Sequence, residues 1–133
     1  MDPARLKAIP LFSQLSEDEA HRLSAFATET SMADGQILMK QGDYSTELIA
    51  IEEGTADVLR DGQKIASLGK GDLIGEMGLL NREPRNADVI ATSPMRVIKL
   101  THWEIRRMSQ DTIERIKQII NERLQAGVAD PAH

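Results

Sequence analysis

The sequence predicts a mainly β domain with helices at both ends, and two observations lead to that prediction. From Ser31 to about Leu100, short β-prone runs alternate with glycine-containing turns at intervals of roughly eight to twelve residues, the pattern of an all-β barrel or sandwich. On either side of this region, apolar residues recur at helical spacing. The length of 133 residues is that of one ordinary domain, so we expect a single domain over residues 1–133.

The N-terminal part, about residues 3–28, is expected to form a pair of helices. Ser16 and Glu19 make a Ser-x-x-Glu capping box, which places the start of a helix near Glu17. An apolar face follows at helical spacing, formed by Leu23, Phe26 and Ala27. An apolar helical turn should precede this helix, formed by Leu6, Ile9, Leu11 and Phe12.

The β region, about residues 31–100, is divided by turns of specific types. Asp61-Gly62 lies between two β-prone runs and predicts a two-residue hairpin, because both residue types tolerate the positive φ of a type I′ turn. Thr92-Ser93-Pro94 separates a last pair of strands, which we expect at Ala87 to Ala91 and at Arg96 to Leu100.

Helical periodicity returns after Leu100 and continues to about residue 126. Trp103, interpreted as a packing residue, marks a short helix, and a longer helix is expected from about Asp111 to Gln125. The longer helix carries an apolar stripe at spacings of three to four residues, formed by Ile113, Ile116, Ile120 and Leu124. Such a stripe is more often a core or dimer seam than a ligand contact, and both roles could coexist.

Composition and charge narrow the classes of function. The chain contains no cysteine, which excludes a disulfide framework or thiolate metal site and fits a cytoplasmic protein. Its net charge of −5 and the absence of a long apolar run predict neither a nucleic acid nor a membrane partner. The three histidines show no metal-ligand spacing and are interpreted as surface residues: His21, His102 and His133. Without a nucleophile–base pair, we do not expect an enzyme.

The segment most informative about function runs from Gly75 to Val89 and reads Gly-Glu-Met-Gly-Leu-Leu-Asn-Arg-Glu-Pro-Arg-Asn-Ala-Asp-Val. Gly75 would let a ligand approach the backbone closely, and the turn that follows it would offer unpaired N–H groups. Arg85 supplies a planar guanidinium suited to phosphate. Glu76 is out of place beside a phosphate unless it accepts a hydrogen bond from a sugar hydroxyl. Together these residues predict a site for a ribose phosphate.

This segment resembles the phosphate-binding cassette of cyclic-nucleotide-binding domains, the family found in bacterial catabolite activators, protein kinase regulatory subunits and cyclic-nucleotide-gated channels. The matching patterns are Gly-Glu-x-x-Leu-Leu and Pro-Arg-x-Ala-x-Val, and the resemblance extends from about Leu6 to at least Met108. Further landmarks occur in family order, at Pro10-Leu11-Phe12, Gly42-Asp43, Gly54 and Gly69-x-Gly71-Asp72. The resemblance implies a double-stranded β-helix, a jelly-roll-like barrel with N-terminal helices and C-terminal lid helices.

The resemblance also implies a cyclic-nucleotide sensor that is not itself catalytic and needs no metal or other cofactor. Glu76 would bind the ribose 2′-hydroxyl and Arg85 the cyclic phosphate. The other implied binding residues are Gly75, Met77, Gly78, Asn86 and Ala87. The C-terminal helix would cover the base as a lid, through Ile120 or Leu124, and relay binding to a protein partner or to a second copy of the chain.

Two positions leave alternatives open. Asn86 stands where alanine or serine is frequent in cyclic-AMP binders and threonine is associated with cyclic-GMP recognition. Its amide can donate to a phosphate or to a purine edge, so the choice between cyclic AMP, the expected ligand, and cyclic GMP stays open. Asp88 replaces a usual threonine or serine. Strand alternation places it opposite Ala87, but facing inward it would weaken anion binding. The alternative function is a ligand-free interaction domain with the same fold.

Overall fold

A computed structural model of the chain describes residues 1–44, 47–75 and 85–125. Its N-terminal part holds helix α1 (Pro3–Lys7), a 3-10 turn (Pro10–Phe12) and helix α2 (Glu17–Ser24). The capping box is confirmed, because Ser16 Oγ accepts from the N–H of Glu19 at 3.1 Å and a Glu19 carboxylate oxygen accepts from the N–H of Ser16 at 3.0 Å. Helix α2 ends before Phe26, which is 45 % exposed, so Phe26 does not extend the apolar face expected of that helix.

Eight strands follow in the described residues. They are β1 (Thr28–Met32), β2 (Ile37–Met39), β3 (Glu47–Glu53), β4 (Ala56–Arg60), β5 (Gln63–Leu68), β6 (Leu73–Ile74), β7 (Asp88–Ala91) and β8 (Met95–Thr101). They form two four-stranded antiparallel sheets, with strand orders β1-β8-β3-β6 and β2-β7-β4-β5. The mainly β, jelly-roll-like prediction is therefore confirmed, although these strands make two sheets and not one closed sheet.

One turn joins two strands of the same sheet, and another carries the chain from one sheet to the other. Asp61 and Gly62 have φ values of 53° and 80°, as the type I′ hairpin requires, and they join the paired strands β4 and β5. The last two strands do not pair with each other as expected: β7 pairs with β2 and β4, and β8 pairs with β1 and β3. The turn between them carries the chain from one sheet to the other, where the N–H of Thr92 donates to the carbonyl of Thr55 at 2.9 Å.

The first sheet is the middle layer of three. In β3, Leu48 and Ala50 face the helices, whereas Ile49 and Ile51 face the second sheet. In β8, Ile98 and Leu100 face the helices and Val97 faces the second sheet. A strand buried on both faces has a nearly continuous apolar sequence, which explains why β3 and β8 show little alternation.

The C-terminal part holds helix α3 (His102–Arg106) and helix α4 (Gln110–Gln125). A second capping box, formed by Thr101 and Glu104, begins α3 directly at the end of β8. At this position in α3, His102 is only 4 % exposed, whereas Trp103 is 54 % exposed. Sequence reasoning was therefore wrong on both, since His102 is not a surface residue and Trp103 is not a core residue. Among the described residues, no helix has the length and hydropathy needed to span a bilayer.

Candidate functional site

The structure describes four of the seven predicted binding residues: Gly75, Arg85, Asn86 and Ala87. The other three, Glu76, Met77 and Gly78, belong to residues 76–84, which lie outside the described part of the chain. The described residues approach from the end of β6 and the start of β7, which belong to different sheets. The site therefore forms where the two sheets of the β region come together.

Arg85 is anchored at its backbone and buried along its side chain. Its N–H donates to the carbonyl of Asp43 at 2.8 Å, and its carbonyl accepts from the N–H of Gly42 at 2.8 Å. The side chain is 4 % exposed, and Nη2 donates to the main-chain carbonyl of Glu47 at 2.9 Å. That contact orients the plane of the guanidinium. A buried, oriented guanidinium is suited to binding a phosphate, because its N–H donors match the geometry of two phosphate oxygens.

Gly75 makes room for this guanidinium. It follows β6 with a φ of 87°, and a Cβ on it would lie 2.7 Å from Arg85 Nη2 and 2.7 Å from the Glu47 carbonyl oxygen. Glycine is therefore required twice, once for the left-handed backbone and once for the close approach of the arginine. The sequence predicted a close approach at Gly75 to the ligand, and the structure shows one to the Arg85 guanidinium.

Asn86 and Ala87 connect the arginine to strand β7. The Asn86 carbonyl accepts from Arg60 Nε at 3.1 Å, whereas Ala87 is fully buried among the side chains between the two sheets. A larger side chain at Ala87 would have to displace this core. These two residues hold the arginine end of β7 between strand β4 and the inter-sheet core.

Asp88 does not face inward. It alternates with the buried residues Ala87 and Val89 and is only half-buried. One oxygen of its carboxylate accepts from the N–H of Gln41 at 2.7 Å. The concern that this carboxylate weakens anion binding from inside the site is therefore removed by its position on the outer face.

The expected lid residue occupies a different place in this structure. Ile120 is fully buried in the core between the helices and the first sheet, together with Ile116 and Ile119 of α4. That core also contains Leu11 and Phe12 of the N-terminal turn. Within the apolar stripe of α4, Ile116 and Ile120 therefore form a core seam, whereas Ile113 is half-buried. The side chain of Leu124 lies outside the described part.

Sequence reasoning did not identify the groups that support the arginine. Two of them are main-chain carbonyls, of Glu47 and Asp43, which carry no side-chain signature. Gln41, in the turn after β2, and Arg60, at the end of β4, contact this end of β7 from distant parts of the chain, and no local pattern marks them. In the described residues, no group of three or more histidine, aspartate or glutamate side chains is placed to hold a metal ion.

The sequence matches a known family over the region that forms this site. A family model described as a cyclic nucleotide-binding domain matches residues 29–112, which is more than half of the chain. The cAMP-dependent protein kinase regulatory subunit of Hypocrea atroviridis is 34 % identical over 103 residues, covering 77 % of this chain and 22 % of that relative. The chain thus spans less than a quarter of the length of this regulatory subunit.

Solved structures show the same fold. The N-terminal domain of a transcriptional regulator from Streptomyces coelicolor A3(2) superposes with a TM-score of 0.79 at 26 % identity, covering 92 % of both chains. The regulatory domain of Toxoplasma gondii PKA, co-crystallised with cAMP, superposes with a TM-score of 0.76 at 23 % identity, covering 90 % of this chain and 48 % of that chain. At this lower identity the likeness shows the fold alone.

Proposed function

This chain belongs to the cyclic nucleotide-binding domain family, and from that premise we propose that it is a sensor that binds cyclic AMP. The observation that carries the proposal is the buried guanidinium of Arg85, oriented by the Glu47 carbonyl and packed against the bare Cα of Gly75. A guanidinium fixed in this way is suited to a ligand with two neighbouring oxygens that share a negative charge, such as the two exocyclic oxygens of a cyclic phosphate.

In this proposal each residue of the cassette has one role. Arg85 pairs with an exocyclic oxygen of the cyclic phosphate, and Glu76 accepts a hydrogen bond from the ribose 2′-hydroxyl. Backbone groups of Gly75, Met77, Gly78 and Asn86 complete the pocket, and Ala87 forms part of its wall. The base would lie against apolar side chains of the β region. No step in this scheme breaks or forms a covalent bond, so the role is regulatory.

The signal leaves the domain through its helices. Helix α4 packs on the N-terminal turn and on the first sheet, so a change at the cassette that shifts these layers also moves α4. We expect a protein partner, or a second copy of this chain, to bind the surface that this movement alters. The kinase regulatory subunits among its relatives suggest a protein kinase catalytic subunit as one such partner.

Calorimetric titration of the purified chain with cyclic AMP and with cyclic GMP tests the proposal. We expect saturable binding of cyclic AMP in the wild type and a loss of about 2–5 kcal/mol in Arg85→Ala, because the phosphate charge is then buried without its partner. Glu76→Gln should lose about 1.5–3 kcal/mol with its charge-assisted hydrogen bond. Arg96→Ala is the matched control, since Arg96 is exposed on β8.

The same titration decides between the candidate functions. Tighter binding of cyclic GMP would keep the sensor role and change its ligand. No heat with either nucleotide would contradict the sensor and favour an interaction domain that keeps the fold without the ligand.

A further inference from the structure

Four residues close to Arg85 in the fold, two in turns and two in strands, are linked by hydrogen bonds around its backbone. We infer that Gln41, Arg60, Asp61 and Asp88, which we call the brace, are positioning residues that hold Arg85 in its phosphate-binding geometry. This inference rests on the proposed function, since it assigns the brace a role in nucleotide affinity. It adds residues that act on the ligand through another side chain and do not touch it.

The first layer of contacts joins Arg85 to the turn that follows β2. The N–H of Gly42 donates to the Arg85 carbonyl, and the N–H of Arg85 donates to the Asp43 carbonyl, both at 2.8 Å. These two bonds continue the β2–β7 pairing beyond Met39. The position of the turn therefore sets the position of the Arg85 Cα, from which the guanidinium extends towards Glu47.

The second layer fixes that turn through Gln41. Its N–H donates to the Asp88 carboxylate at 2.7 Å, which ties the turn to strand β7. Its side-chain amide makes two bonds to Asp61, since Nε2 donates to the carboxylate at 3.0 Å and Oε1 accepts from the Asp61 N–H at 3.0 Å. Gln41 therefore joins the turn to both the strand and the β4–β5 hairpin.

The third layer closes the arrangement into a ring. Arg60, the neighbour of Asp61 in the hairpin, donates from Nε to the carbonyl of Asn86 at 3.1 Å, and Asn86 is the neighbour of Arg85. The ring therefore runs from Gln41 to Asp61, through Arg60 to Asn86 and Arg85, and back through Gly42 to Gln41. Closure matters because each exposed hydrogen bond is weak alone, whereas bonds in one network reinforce each other.

Single substitutions can remove the hydrogen bonds of the brace one group at a time. Gln41→Ala removes both side-chain bonds to Asp61 and keeps the backbone bonds of the turn. Asp88→Ala removes the acceptor of the Gln41 N–H, whereas Asp88→Asn keeps a carbonyl oxygen there. A displacement of the guanidinium by a fraction of an ångström is enough to weaken a directional contact with phosphate.

The matched control is Gln36→Ala, at the other end of β2. Gln36 also accepts a hydrogen bond within a turn, from the N–H of Ala33 to its Oε1 at 3.0 Å, and its carbonyl accepts from Ala91 at 2.9 Å. The two variants therefore delete the same side chain from comparable turns, and only Gln41 belongs to the brace.

Two measurements test the brace, cyclic AMP affinity by calorimetry and amide hydrogen exchange by NMR. We expect Gln41→Ala and Asp88→Ala each to weaken cyclic AMP binding about three- to tenfold, with Asp88→Asn close to wild type and Gln36→Ala unchanged. In the Arg85→Lys background the same Gln41→Ala change should cost less than about twofold, because no guanidinium remains to be positioned. Hydrogen exchange at the Arg85 and Gly42 amides should accelerate in Gln41→Ala and stay unchanged in Gln36→Ala.

The outcomes separate this inference from the proposed function. If the wild type binds cyclic AMP and Gln41→Ala binds it equally well, the inference about the brace is wrong and the sensor proposal stands. Equal losses from Gln41→Ala in the wild type and in the Arg85→Lys variant lead to the same conclusion. If the wild type binds no cyclic nucleotide, the sensor fails. The exchange rates then decide the brace by themselves: unchanged rates at Arg85 and Gly42 in Gln41→Ala overturn it, and accelerated rates support its hold on Arg85.

Discussion

Gly75 has no Cβ, and the space where that atom would lie is occupied by the side chain of Arg85. Two other glycines of the β region have nearly the same backbone conformation, with a φ of 86° at Gly35 and 89° at Gly42, but a Cβ on either would meet no atom within 4 Å. At Gly75, with a φ of 87°, the Cβ would meet the Arg85 guanidinium. The backbone requirement is therefore shared by these three glycines, of which only Gly75 also has a steric requirement.

This difference gives a matched pair of variants. Gly35→Ala should lose about 1–2 kcal/mol of unfolding free energy, because alanine is strained at this φ. The same backbone strain applies to Gly75→Ala. Gly75→Ala should lose more stability, and its cyclic AMP affinity should fall at least about tenfold, since the displaced guanidinium no longer meets the phosphate. Urea unfolding and calorimetry measure the two effects, and equal behaviour of the two variants would show that the contact with Arg85 is unimportant.

At the scale of elements, Glu19 links the first and last helices. Its carboxylate accepts from Thr112 Oγ1 at 2.7 Å, and it forms an ion pair with Arg115, both on α4. Burial alone would raise the pKa of Glu19, but the N–H and hydroxyl of Ser16, the Thr112 hydroxyl and the charge of Arg115 lower it below the usual value. Glu19 therefore takes part in the capping box of α2 and also bonds to two residues of α4.

The lowered pKa of Glu19 predicts how stability depends on pH. A carboxyl whose pKa is lower in the folded state contributes stability above its unfolded pKa and loses that contribution as the pH falls through the folded pKa. We therefore expect Glu19→Gln to cost about 1 kcal/mol at pH 7 and to approach wild-type stability as the pH falls from the unfolded pKa of about 4.3 through the lower folded pKa.

Thermal unfolding across this pH range measures the effect, with Asp18→Asn as the control. Asp18 lies beside Glu19 in the first turn of α2 and is exposed, so both variants remove an acid near the positive end of the helix dipole. An equal pH dependence in the two variants would attribute the effect to the dipole and not to the link with α4.

The seam of α4 makes a separate prediction at Ile120. Because this side chain is fully buried between the helices and the first sheet, Ile120→Ala should cost about 2–5 kcal/mol of unfolding free energy. Ile37→Ala, at a position 55 % exposed, should cost less than about 1 kcal/mol. Urea unfolding measures both, and a loss of cyclic AMP affinity with unchanged stability would instead place Ile120 over the base as a lid.

At the scale of the whole molecule, ligand binding should stabilise all three layers together. The described ends of the cassette follow β6 of the first sheet and lead into β7 of the second, and the first sheet carries the helices on its other face. A ligand that binds only the folded state at 100 times its Kd adds about 2.7 kcal/mol to the unfolding free energy. We expect cyclic AMP to raise the Tm by roughly 8–10 °C in a domain of this size.

Thermal shift measurements over a range of cyclic AMP concentrations test this linkage. Arg85→Ala should show no rise at the concentrations that stabilise the wild type. A rise of equal size in both proteins would mean that the nucleotide binds elsewhere on the domain.

Much of this fold follows from short stretches of sequence. The Ser16 capping box, the Asp61-Gly62 hairpin and the Gly75 turn each depend on the backbone conformation of two to four adjacent residues, which their side chains determine directly. The cassette pattern likewise predicts Gly75, Arg85, Asn86 and Ala87 as binding residues. Such signals are local, so they are read without knowledge of the rest of the chain.

The sequence by itself determined the order of elements and the mainly β class, and it predicts Arg85 and Gly75 as binding residues. Only the tertiary structure decided that β7 and β8 lie in different sheets, that His102 is buried, that Ile120 packs in one core with the N-terminal turn, and that Gln41 bonds to both Asp61 and Asp88. The physical reason is separation along the chain. Gln41 meets Asp88 across 47 positions and Glu19 meets Arg115 across 96, and such contacts depend on how whole layers pack and not on any local pattern.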